Sequence, residues 1–125
     1  MPQNLNIFVR TNHSKEDFAR EIEMLLEVHL TVLNEEYIFY SYTDPKNRWF
    51  QIGIHDLIND SDGLNFEFYD YQIEIGAFGI RDWEKHRDNV NEYARLIFDK
   101  LKSTGSYDLL LVQDVSFKLD EFHVT

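Results

Sequence analysis

The segment 37–56, YIFYSYTDPKNRWFQIGIHD, decides the fold. Its first part, Tyr37–Thr43, is dense in β-branched and aromatic residues, a composition that fits a pleated, half-buried surface. Asp44-Pro45-Lys46-Asn47 has type I turn chemistry, because proline presets φ at the second turn position. Arg48–Asp56 then alternates. Phe50, Ile52 and Ile54 point one way, while Trp49, Gln51, Gly53 and His55 point the other. Two such runs across a short turn predict a hairpin with one apolar face, and that face needs a cover.

The flanking sequence supplies the cover. Upstream, Asn6–Arg10 reads as a short strand, and Thr11-Asn12-His13-Ser14 as a turn leading into a helix N-cap. Ser14 with Asp17 three residues on is a variant of the capping box. Phe18, Ile22, Leu25, Leu26 and Leu30 recur at helical spacing, with Glu16, Glu21, Glu23 and Glu27 on the opposite face. Asn34-Glu35-Glu36 closes that segment. Downstream, Asn59–Gly63 is a polar loop and Asn65–Ile75 a long strand. Its apolar phase changes from even (Phe66, Phe68) to odd (Tyr69, Tyr71, Ile73, Ile75), which predicts a β-bulge near Phe68–Asp70. Gly76 and Gly79 break the strand. Asp82 caps a second helix with an apolar face of Trp83, Val90, Tyr93, Ala94, Ile97 and Leu101, and Gly105 stops it. Tyr107–Val115 is apolar on both faces through Leu109–Val112, the pattern of a central strand. Phe117–Val124 reads either as a further edge strand or as a packed tail.

The order β-α-β-β-β-α-β predicts a single α+β domain over residues 1–125. The expected architecture is a two-layer sandwich, with two helices on one face of a mostly antiparallel sheet. Strand order stays open. At 125 residues, with 43% hydrophobic and 15% aromatic content, the chain can bury a real core. It has no cysteine, which removes disulfides, thiolate metal sites and cysteine nucleophiles and suits a reducing compartment. No signal-like or membrane-length apolar run is present, so a cytoplasmic location is expected.

Motifs for chemistry are missing. The histidines His13, His29, His55, His86 and His123 make no i+3 or i+4 pair of the kind that holds zinc on a helix. His29 reads as a core or boundary residue on the first helix, and His86 as helix surface. Only His55-Asp56, beside an acidic loop, has any catalytic or metal flavour. Asp60-Ser61-Asp62-Gly63 imitates part of a calcium loop. Aligning Gly63 to the turn position, however, puts Ile58 and Tyr69 where two oxygen ligands belong. Gly76-Ala77-Phe78-Gly79 lacks the spacing and lysine of a phosphate loop, and no GxSxG occurs. Neither an enzyme, a metal nor a cofactor is expected.

Charge carries more information. The formal net charge is −11. A surface so short of cations is a poor match for phosphate backbones or anionic membranes, and it complements a basic protein. Solubility alone also makes chains acidic. The charge is uneven, however: residues 35–80 hold nine acids against two bases, and 11 of the 19 aromatics. Carboxylates mixed with tyrosines on a sheet make a protein-binding surface. The expected partner site is Asp56, Asp60, Asp62, Glu67, Tyr69, Asp70, Tyr71 and Glu74. Strand alternation puts Asp70 and Glu74 on one face and Tyr69 and Tyr71 on the other unless the bulge realigns them.

In size and acidity the chain resembles the small immunity proteins encoded beside bacterial polymorphic or contact-dependent toxins. The likeness extends to the opening strand Asn6–Arg10 running into Thr11-Asn12-His13-Ser14-Lys15-Glu16-Asp17-Phe18, and to the aromatic-acidic strands 37–43 and 65–75. The resemblance implies binding and neutralisation of one cognate toxin domain, often a nuclease with a basic cleft, and brings no catalytic residues. The alternatives are a small-molecule or regulatory binding domain, a nucleic-acid-mimicking inhibitor, and an enzyme of unrecognised type.

Overall fold

A computed structural model describes residues 4–54, 68–79, 81–113 and 117–124. The elements run β1 (Leu5–Arg10), α1 (Lys15–Leu26), β2 (Thr31–Val32), β3 (Ile38–Thr43), β4 (Arg48–Gly53), β5 (Tyr71–Ala77), α2 (Trp83–Ser103), β6 (Asp108–Gln113) and β7 (Phe117–Phe122). The strands form one antiparallel sheet in the order β2-β3-β4-β5-β1-β6-β7. The architecture is the expected α+β sandwich, and the C-terminal segment is an edge strand.

The sequence dictates the pairing through alternation. Leu5, Ile7 and Val9 of β1 sit opposite Ile75, Ile73 and Tyr71 of β5, and on the other side opposite Gln113, Leu111 and Leu109 of β6. Phe50 and Ile52 of β4 continue that apolar row beside Ile75 and Ile73. The row meets Phe18, Ala19 and Ile22 of α1 and Val90, Tyr93, Ala94, Ile97, Phe98 and Leu101 of α2 in one cluster. Burying each such side chain is worth roughly 1.5–3 kcal/mol, so this layer dominates stability. Both helices therefore lie on one face of the sheet.

Local signals hold at the helix starts. The Ser14 hydroxyl accepts from the Asp17 N–H at 3.2 Å, and Asp82 Oδ1 accepts from the N–H groups of Glu84 and Lys85. The β3–β4 turn is a type I turn closed by Asn47 in the left-handed region, φ 62°, the usual three-residue hairpin loop.

Several expectations are corrected. Helix α1 stops at Leu26 rather than running to Leu30, because Glu27 turns left-handed at φ 55°. Leu30 still reaches the core, but from outside the helix, and the His29 side chain is 98% exposed. The two-residue strand β2 was not foreseen. Trp83 opens α2 on the surface instead of on its buried face, and His86 is buried instead of exposed. Strand β6 is buried on both faces yet lies next to the edge, because Leu110 and Val112 join a second small cluster with Phe8 and Tyr69 on the helix-free side. Of the long strand expected over Asn65–Ile75, the described part is β5, which begins at Tyr71 and runs through Gly76 to Ala77.

Candidate functional site

Helices cover one face of the sheet, so the residues of opposite parity face away from them. On β4 these are Trp49, Gln51 and Gly53; on β5 they are Gln72, Glu74 and Gly76; on β1 Asn6 and Phe8. The registers place Glu74 directly between Asn6 of β1 and Gln51 of β4. Asn4 Nδ2 donates to Glu74 Oε2 at 3.3 Å, and Gln72 Nε2 donates to Asn6 Oδ1 at 2.7 Å. Asn6 is only 3% exposed, so the latter bond satisfies a polar group that would be costly to bury alone.

Two glycines shape this surface by what they lack. A Cβ on Gly76 would collide with the Trp49 ring, which lies across it, and Phe78 adds a second ring 6.0 Å from Trp49. A Cβ on Gly53 would run into the Tyr37 carbonyl, which accepts the Ile54 N–H at 2.9 Å. Between Tyr37 at one end and the Glu74 row lies a cavity of about 200 Å³, lined by Tyr37, Ile38, Gln51, Gly53, Ile54, Gln72 and Glu74. Among the described residues its lining has one carboxylate, two carboxamides and no cation.

The predicted partner residues fare differently. Asp56, Asp60, Asp62 and Glu67, together with His55, lie outside the described residues. Glu74 sits at the centre of the helix-free face. Asp70 is exposed just before β5, where its Oδ2 accepts the Thr11 N–H at 2.9 Å and its own N–H donates to the Val9 carbonyl. That carboxylate fastens the end of β1. Tyr71 is on the helix side, stacked on Phe18 with centroids 5.1 Å apart, and its hydroxyl donates to the His13 carbonyl at 2.8 Å. Tyr69 is buried on the opposite side against Phe8 and Phe68. Burial pushes its hydroxyl up to about 12, helped by Glu121 and Asp108. The two tyrosines thus do not share a face, because the backbone bends at Asp70 between them.

Gln51 and Gln72 were not singled out by sequence, and Tyr37 and Trp49 entered only as aromatics of their strands, outside the expected partner set. For Trp49 and Gln51 the signal was present in the alternation of 48–54, whose non-apolar phase is this face.

Among the described residues, no group of three or more His, Asp or Glu side chains is placed to hold a metal ion. Also among them, no helix is long and apolar enough to cross a membrane. No family model, curated protein or solved structure matches this chain.

Proposed function

We propose that this chain is an immunity-type protein of the cytoplasm, which binds a cognate bacterial toxin domain and blocks it by occlusion. The supporting observation is the helix-free sheet face, where Glu74 and two carboxamides lie between Tyr37 and the Trp49–Phe78 pair. Large rings beside a partly desolvated carboxylate are what a protein interface uses for anchoring. The net charge of −11 would steer a basic toxin surface toward it. A small-molecule site is less well supported, since cavities for metabolite-sized ligands run to roughly 300–1,000 Å³ and this one is about 200 Å³.

The test is co-expression with the toxin domain encoded by the adjacent reading frame. Growth should be rescued, and the purified pair should form a stoichiometric complex. Absence of rescue, or a neighbouring frame that encodes no toxin, rejects the proposal. The surface is tested with Glu74→Ala against Glu92→Ala on the exposed side of α2. Loss of a central desolvated carboxylate costs roughly 2–5 kcal/mol of binding, whereas the control should bind normally. Asp70→Ala is a poor probe, because it also releases the Thr11 N–H.

A further inference from the structure

We propose that the cavity beside Glu74 is a receptor for one guanidinium group, an arginine side chain of the protein partner. The inference rests on the binding-protein reading and specifies its chemistry.

The first argument is size. About 200 Å³ is several times the roughly 30 Å³ share of one water and falls short of a metabolite pocket. It suits the end of a single long side chain. The second argument is the lining. Tyr37, Ile38 and Ile54 provide apolar surface for an aliphatic stem, and the missing side chain at Gly53 lets the Tyr37–Ile38 backbone close in on that strand to form the wall. The third argument is hydrogen-bonding capacity. Asn4 engages one oxygen of Glu74, and Gln72 spends its N–H on Asn6. Among the described residues, nothing hydrogen-bonds to the second Glu74 oxygen, to Gln72 Oε1 or to the Gln51 carboxamide. Three acceptors in one depression, with a single negative charge among them, ask for a planar cation with several donors. Guanidinium presents five N–H groups in a fixed fork, whereas an ammonium is a compact point charge that gives up its water reluctantly. The Gln72–Asn6 bond at 2.7 Å also fixes the floor, so the acceptors are held in place before a ligand arrives.

The experiment uses the full chain labelled with ¹⁵N. Three capped tripeptides serve as probes: acetyl-Gly-Arg-Gly-amide, its lysine counterpart, and its citrulline counterpart, which is nearly isosteric with arginine but uncharged. The arginine peptide should shift the side-chain amide resonances of Gln51 and Gln72 saturably. The lysine peptide should bind more weakly, and citrulline should leave those resonances unmoved. Glu74→Gln should weaken arginine binding by roughly tenfold or more, the value of one charge-assisted hydrogen bond. Gln51→Leu, which touches no internal hydrogen bond among the described residues, should weaken it as well. Equal binding of the lysine or citrulline peptide overturns the inference, as do shifts that bypass both glutamines. Unchanged arginine binding in folded Glu74→Gln also overturns it, and if that variant does not fold, unchanged binding in Gln51→Leu does so. The two proposals fail separately. A toxin complex indifferent to Glu74→Gln removes the receptor and keeps the toxin, whereas specific arginine binding without any toxin rescue does the reverse.

Discussion

At the tip of the β3–β4 hairpin, one carboxylate holds the turn together. Asp44 Oδ1 accepts the N–H groups of Lys46 and Arg48 at 2.9 and 2.8 Å, and Oδ2 pairs with Arg48 Nε at 2.8 Å. The two side chains are only 8% and 12% exposed, and the guanidinium lies 4.4 Å from the Tyr93 ring of α2. Removing one partner of such a pair strands the other. Asp44→Ala should therefore cost roughly 3 kcal/mol or more, read as a lower urea midpoint with an unchanged slope. The turn was legible in Asp-Pro-Lys-Asn; its tie to Tyr93 was not, because nothing local announces a contact across so many residues. The buried tyrosines give a second expectation. Desolvation raises the hydroxyls of Tyr69, Tyr93 and Tyr107 above their ordinary value of 10, with Tyr69 at about 12. A raised folded value means that the folded state holds the proton more tightly. The stabilisation is complete below pH 10 and is lost as pH climbs toward 12 and beyond. Absorbance at 295 nm should show these three rings ionising late, together with unfolding, and urea midpoints should fall above pH 10.

Helix α1 shows where periodicity stops being informative. The apolar spacing continues to Leu30, but the helix ends at Leu26 and Glu27 takes the left-handed conformation, with its N–H donating to the Glu23 carbonyl. The Glu23 carboxylate then accepts the Leu30 N–H at 2.8 Å, so the chain still delivers Leu30 to the core. A side-chain pattern cannot register one residue of positive φ that leaves the burial unchanged. The position is doubly unfavourable for glutamate, which pays for the left-handed conformation and puts a negative charge at the negative end of the helix dipole. Glu27→Gly should stabilise the protein by about 0.5–1 kcal/mol, measurable as a higher urea midpoint. The phase change near Phe68–Asp70 was only partly legible: alternation put Tyr69 and Tyr71 in one phase, but the chain bends at Asp70 and sends Tyr69 to one side with Phe68 and Tyr71 to the other.

For the whole molecule, the class was readable and the strand order was not. The hydrophobic periods gave two helices and an antiparallel sheet, since each depends on residues near one another in the chain. Order depends on which edges meet, and here the first strand lies between two that come late. The helix-free face was only half legible: its carboxylate drew attention, while its glutamines read as the idle side of a strand. Net charge gives an expectation at this scale. With −11 spread over a small body, self-repulsion opposes compaction, and mobile ions relieve it. The melting temperature should rise by a few degrees between about 10 mM and about 300 mM sodium chloride. The position of β1 has a further consequence in time. Its register runs from Leu5 opposite Gln113 to Arg10 opposite Asp108 on one edge, and along β5 on the other. During synthesis this apolar strand emerges well ahead of β6, its second neighbour. Both of its pairings join segments far apart in the chain, so this part of the sheet should be slow to form. Until β5 and β6 have both been made, β1 is an adhesive ribbon with a vacant edge, and chaperones have their longest opportunity there.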